Sequence, residues 1–206
     1  MATTDPPRAR QARADETRAR LLKAAIAAFG VKGFHGTTTR DIAQAAGMSP
    51  AAVYVHHRSK EELLFLIAAE GHERILAMVR EVVGMKGTPT EQARELAYRF
   101  ARRHASEHTW ARIVNYELAA LSPDHLAVVM ELRRQINHEL RAVVDAGVAS
   151  GEFDTADPSI TTVAVLSLGI DIARWYDEAG RWSPDQVAER YAELAVRMLR
   201  RPSGEE

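Results

Sequence analysis

Arg40, Tyr54 and Lys60 are the side chains whose types and spacing most suggest chemistry, and that chemistry is the capture of a polyanion. A guanidinium can fork onto guanine O6 and N7, and a phenol can bond a phosphate. Lys60 follows a serine suited to capping a helix, so it falls in a first turn, where a cation opposes the helix dipole. Holding a phosphate jointly with the free N–H groups would offset that cost. Thr39, Ser49 and His56 stand on the same short segments and can reach phosphates or base edges. Pro50, Ala51 and Ala52 add little hydrogen-bonding capacity, so selectivity there would rest on thymine methyls and duplex shape. Plainer roles stay open: Arg40 can pair with Asp41 or Gln44, and Tyr54 can be a core aromatic with a wet hydroxyl.

Other groupings are weaker. His104 and His108 are one helical turn apart with Glu107 beside them, which can place two imidazoles on one face for a metal. The sequence places no third ligand, and neither a metal nor a cofactor is expected. There is no glycine-rich phosphate loop, nucleophile elbow or persuasive acid pair. Cysteine is absent, which excludes disulfides, thiolate metal sites and cysteine nucleophiles. An enzyme is therefore not expected. The alternatives to a nucleic-acid binder are a helical adaptor or a metal-dependent enzyme, each with a vestigial basic head. Arg174 lies in an otherwise apolar run with Asp171 one turn earlier, so it can pair internally or anchor an anionic ligand.

These residues need elements to position them, and the composition favours helices. Of 206 residues, 46% are apolar and 27% charged, with Ala, Leu, Arg, Glu and Val dominant. The net charge of -1 hides an asymmetry: residues 1–60 hold ten Lys/Arg against four Asp/Glu, while residues 61–206 hold seventeen against twenty-four. A basic head on an acidic body suggests that only the head meets a polyanion. No secretory signal is evident in residues 1–10, and the longest apolar stretch, 160–173, is short for a bilayer and contains Asp171. A cytoplasmic protein with no membrane partner is expected.

Residues 1–14, with Pro6, Pro7, Arg8, Arg10 and Arg13, read as a disordered basic arm. An amphipathic helix over 15–32 should end at Gly33, with Phe34 packing back. Thr38 with Asp41 caps a short helix, 39–46; Gly47 supplies a left-handed turn; Ser49-Pro50 starts another, ending near 57. Ser59 with Glu62 makes a capping box for a helix to 83. Thr88-Pro89, Ser122-Pro123, Asp157-Pro158 and Ser183-Pro184 start the remaining helices, with a break near 108. These should run to about 121, 149, 180 and 201, and no strand is convincing.

The combined pattern is more specific than its parts. An amphipathic helix precedes Gly36-Thr37-Thr38-Thr39-Arg40-Asp41-Ile42-Ala43, then Ala46-Gly47-Met48-Ser49, Val53-Tyr54-Val55-His56-His57 and Ser59-Lys60-Glu61-Glu62-Leu63. Over about residues 16–66 this resembles the tetracycline-repressor (TetR) family of transcriptional regulators; the remainder is similar only in length and helical pattern. The resemblance implies an all-α fold of about nine helices. It divides into a three-helix helix-turn-helix DNA-binding domain at 15–60 and a larger ligand-binding and dimerisation domain at 61–206. It implies a homodimer that reads a palindromic duplex, a dimer interface on the last two helices at about 158–178 and 184–199, and Tyr54 both packing and bonding a phosphate. The apolar faces there would come from Val163, Leu166, Leu168, Ile172, Val187, Tyr191, Leu194 and Met198. The family usually has an aromatic where this chain has His57, which should therefore be a partly buried, hydrogen-bonded core residue. A ligand pocket between the middle helices would draw on Trp110, Ile113, Val114, Tyr116, Glu117, Met130, Arg133, Arg134, Asn137, His138, Arg174 and Trp175. The segment around Arg174-Trp175-Tyr176 is similar to regulators that respond to acyl-CoA thioesters, which makes a small-molecule effector of that class the expected partner.

Overall fold

Hydroxyl and carboxylate side chains, most of them followed by proline, decide where the helices begin. The computed structural model describes residues 7–200, and among them it is all-helical. The α-helices are α1 (Pro7–Gly36), α2 (Thr39–Ala45), α3 (Pro50–His56), α4 (Lys60–Val83), α5 (Pro89–Ser106), α6 (His108–Tyr116), α7 (Pro123–Ser150), α8 (Pro158–Trp175) and α9 (Pro184–Leu199). Thr38, Ser49, Ser59, Thr88, Ser122, Asp157 and Ser183 each accept a backbone N–H from the turn they open. Gly47 (φ 64°) makes the turn between α2 and α3 in the left-handed region, where a Cβ would be strained. These starts are the ones legible in the sequence, and the all-α class with about nine helices is what is observed.

Four local expectations need correction. Residues 7–14 are helical rather than a disordered arm; Arg, Ala and Gln are good helix formers, and the Gln11 side chain donates to Asp15 at 3.0 Å. The first six residues of that arm lie outside the described residues. At Ser59 only half of the capping box forms, because the Glu62 carboxylate takes the Arg58 N–H instead of the Ser59 N–H. Helix α8 stops at Trp175, short of 180, because Tyr176 turns extended (φ −66°, ψ 135°) and buries its ring 5.5 Å from that of His108. A 3-10 turn, Leu118–Ala120, connects α6 to α7 with no local signal for it.

Packing divides differently from the charge. One continuous core holds Leu21 and Phe29 of α1, Ile42 of α2, Val53 of α3 and Leu63, Leu64 and Ile67 of α4, and runs on into Ile113 and Val114 of α6 and Val129 of α7. The far half of α4, with Ile75, Leu76, Val79 and Val82, joins a second core with α5, α7 and Leu199 of α9. The head is thus welded to the body through α4 and α6 rather than hung on a linker at residue 60. No helix among the described residues is long and apolar enough to cross a membrane.

Helix α7 leaves its last turn through a close approach, with Phe153 lying flat on Gly147: a Cβ at 147 would stand 2.0 Å from the ring. Gly147→Ala should therefore destabilise the fold by about 1–3 kcal/mol, read as a lowered midpoint in denaturant. An unchanged midpoint would mean that Phe153 is free to leave this contact.

A basic reading face and a body cavity

The head places its small apolar residues inward. Ile42, Ala43, Ala46 and Val53 are buried against α1, while Arg40, Ser49, Pro50, Ala51 and Tyr54 are exposed and Thr39 and His56 are half-exposed. The face predicted from the sequence therefore exists as a surface. Arg40 makes no hydrogen bond or ion pair among the described residues. Pairing with Asp41 does not occur, because Asp41 is held by Lys32 at 2.7 Å and by the Thr38 cap. Those contacts, Lys32 first, keep the Asp41 carboxyl well below the usual carboxylate range. Tyr54 is 57% exposed, not a core aromatic, and its hydroxyl donates to Thr39 Oγ1 at 3.4 Å. An open groove beside it is lined by Thr37, Thr38, Thr39, Tyr54, Arg58 and Lys60.

Lys60 does more than line that groove. Its ammonium donates to the Phe34 carbonyl at 2.9 Å and the Thr37 carbonyl at 2.8 Å, and sits 4.3 Å from the centre of the Phe34 ring. The cation in the first turn of α4 is explained by the two carbonyls it bonds at and just past the end of α1, not by a phosphate alone. His57 departs from expectation in another way. It is buried, but neither ring nitrogen has a hydrogen-bond partner, and burial pushes its pKa below the ordinary value.

In the body, α4, α5, α6, α7 and α8 surround a half-open cavity of about 240 Å³. Of the residues predicted for a pocket, Trp110, Val114, Arg133 and Asn137 line it. The others do not. Ile113 fills the core shared with the head, and Glu117 reaches back to accept the Phe34 N–H at 3.2 Å. Met130, Arg134 and His138 form an outward stripe at i, i+4, i+8, beside the inward stripe of Arg133, Ile136 and Asn137. Tyr116 is exposed, Arg174 is exposed and paired with Asp171 at 2.6 Å, and Trp175 packs on Trp182 and Tyr191.

Sequence reasoning missed His72, Arg103 and Asn115 as wall residues, and weighed His104 only as a metal ligand. The overlooked signal was a histidine on the buried face of a long helix, at His72 in α4 and His104 in α5. Each ring donates Nδ1–H to the carbonyl one turn earlier, Ala68 or Phe100, at 2.8 Å. The proton is thereby placed on Nδ1, and Nε2 is left as an acceptor. Burial pushes both below the ordinary imidazole value, His104 to about 4, so both are neutral at pH 7. Among the described residues no three His, Asp or Glu side chains are grouped to hold a metal, and Glu107 is tied to Arg103 at 3.1 Å.

Comparison with known proteins decides the family. Residues 21–67 match the model of bacterial regulatory proteins of the tetR family, and residues 86–199 match the tetracyclin repressor-like C-terminal domain. The chain belongs to the TetR family. TetR proteins are DNA-binding transcriptional regulators rather than enzymes. A TetR-family regulatory protein from Rhodococcus RHA1 has a solved structure that is 36% identical, covers 91% of this chain and 98% of its own, and superposes with a TM-score of 0.85. The transcriptional repressor KstR2 of Mycobacterium tuberculosis is 27% identical over 183 residues, 87% of this chain and 90% of that protein. AibR, solved in complex with isovaleryl coenzyme A and operator DNA, is 24% identical, covers 90% of this chain and 99% of its own, and shares the fold with a TM-score of 0.79.

Three outcomes follow for this TetR head and body. Lys60→Met should destabilise the free protein by about 1.5–3 kcal/mol, because the Thr37 carbonyl loses its partner and the Phe34 carbonyl keeps only the Thr37 N–H, whereas Arg40→Ala should leave the denaturation midpoint unchanged. Because His57, His72 and His104 all lie below the ordinary value of 6.5, the unfolded chain binds protons that the folded chain does not. Stability should be fully present above about pH 6.5 and fall as the pH drops below it. His57→Phe, which removes two unpartnered nitrogens, should raise stability by about 1 kcal/mol at pH 7 and flatten that acid slope, measured by urea titration at pH 5–8.

Proposed function

We propose that this TetR-family protein is a homodimeric transcriptional repressor that binds a palindromic operator and is released when a small-molecule effector enters the body cavity. The observation that carries this reading is the double membership of α6. One side of this helix, with Trp110, Ala111, Val114 and Asn115, lines the cavity. Another side of it touches the head: Ile113 lies in the shared core, the methyl of Thr109 fits against Gly30 of α1, and Glu117 just beyond the end of α6 bonds Phe34. A ligand that shifts α6 by a fraction of an ångström cannot do so without disturbing the end of α1, because packed cores are bistable rather than elastic.

The DNA contacts proposed are Arg40 to guanine, Tyr54 and Thr39 to a phosphate, and the groove with Lys60 and Arg58 to the same backbone. Ser49, Pro50, Ala51 and His56 would sit at the leading end and side of the reading helix α3. Repression is supported by the relatives, since KstR2 is named a repressor. The proposed dimer uses α8 and α9, where Leu168, Leu194 and Met198 are exposed although Ile172 and Val187 are buried in the body. That split lets the same pair of helices face its own core and a partner. Two heads so joined would need recognition helices about 34–36 Å apart, or a multiple, to meet successive major-groove faces. An acyl-CoA thioester is the effector class to test, with the acyl group inside the cavity; AibR bound to isovaleryl coenzyme A supports including it.

The test begins with a duplex selected from a random pool by the purified protein. Mobility shift against random competitor should show a complex of two chains per duplex. Arg40→Ala should weaken it about 5- to 150-fold with the fold intact. An acyl-CoA thioester such as isovaleryl-CoA, or the corresponding free acid, should release it. A monomeric protein, or one with no preference for any sequence, would defeat the proposal.

A further inference from the structure

We propose that the body cavity takes a compact organic anion, a carboxylate on an apolar body, whose charged end is anchored by Arg133. This rests on the reading of the cavity as the effector site and names the chemistry of what fills it. The case begins with the charges in the wall. Glu107 is the carboxylate there and is paired with Arg103. The two imidazoles are neutral, as derived above. Arg133 is half-buried, and among the described residues no carboxylate lies within ion-pairing distance of it. The neighbouring Arg134, by contrast, is paired with Glu131 outside the cavity. The wall therefore carries one uncompensated positive charge in a largely apolar setting.

Leaving a guanidinium partly desolvated and unpaired costs free energy, and burial lowers its hold on its proton accordingly. A neutral ligand would leave that cost in place, a cation would add repulsion, and an anion removes it with a forked, charge-assisted bond. Two other wall residues point to a polar ligand end. Trp110 Nε1 and Asn137 Oδ1 are buried without a hydrogen-bond partner, one a donor and one an acceptor. His104 Nε2 is already taken by the Asn115 amide at 3.5 Å, so the free donor at Trp110 Nε1 is the group that suits a carboxylate oxygen.

The rest of the space is apolar and limited. Ile75, Phe100, Val114, Ile136, Leu166 and Ile170 make up most of the remaining wall. Phe100 and Leu166 also line a second hollow of about 30 Å³, which is bounded by Val79, Leu96 and Leu140 and extends the apolar end. At about 240 Å³ the main cavity is smaller than the roughly 300–1,000 Å³ of sites that enclose drug-sized ligands. A free carboxylate with a short alkyl or aryl body fits inside; a nucleotide-bearing thioester would leave its nucleotide outside and its phosphates away from Arg133.

Isothermal titration of the full chain distinguishes these sources. The probes are octanoate and phenylacetate, their neutral amides octanamide and phenylacetamide, and octanoyl-CoA. At least one carboxylate should bind about tenfold or more tighter than its amide. The preference should vanish in Arg133→Gln, survive in Arg133→Lys, and be untouched in Arg134→Gln, with circular dichroism confirming that each variant is folded. Amides that bind as well as carboxylates would overturn the proposal. So would a carboxylate preference that outlives Arg133→Gln, tight binding confined to octanoyl-CoA, or no carboxylate binding at millimolar concentration. Operator binding is measured separately: a protein that grips DNA but no carboxylate refutes the anion site alone, and one that binds carboxylate but no duplex refutes the repressor reading.

Discussion

Helix α4 has to satisfy two cores at once. Leu63, Leu64 and Ile67 in its first turns are buried among the head helices, and Ile75, Leu76, Val79 and Val82 further along are buried among α5 and α7. Each such side chain contributes about 1.5–3 kcal/mol of transfer free energy, so neither end can be withdrawn from its core without a loss comparable to the net stability of a domain. The orientation of the reading face is therefore set by a rigid rod anchored in the body. Lys60 tightens the joint, since it reaches back from the start of α4 to the carbonyls of Phe34 and Thr37.

A second link runs through α6, and its construction differs. Alone among helices α2 to α9, it starts with no side-chain cap: Glu107 ends α5 and precedes α6 without bonding either first-turn N–H. A missing cap costs about 1 kcal/mol of local stability. The break between α5 and α6 is thus held by packing rather than by its own chemistry, and it forms part of the cavity wall through Arg103, His104, Glu107 and Trp110. A junction specified mainly by its neighbours is the kind that responds when those neighbours change.

The cavity wall also carries groups that cost the fold stability. Two imidazoles are buried neutral and a guanidinium is left unpaired, each at some cost to the fold. The head carries a comparable cost at His57, where the ring is buried and both nitrogens lack partners. Of these, only the cavity residues border a hollow.

The amino-acid sequence by itself determined the capped helix starts, the left-handed glycine at 47, the inward and outward faces of α2 and α3, and the membership these features share with the TetR family. Such features depend on contacts within a few residues, so they are written locally. The cavity was legible only in part. Arg133 and Asn137 share a stripe one turn apart, but whether that stripe or the one through Met130, Arg134 and His138 turned inward depended on where α7 met α4 and α8. Likewise, Arg174 kept its local partner Asp171, and Lys60 found carbonyls that stand more than twenty residues away in the chain. Periodicity establishes that a helix has faces; only the packing of several helices assigns each face a neighbour, because burial is a property of the assembled core and not of any one segment.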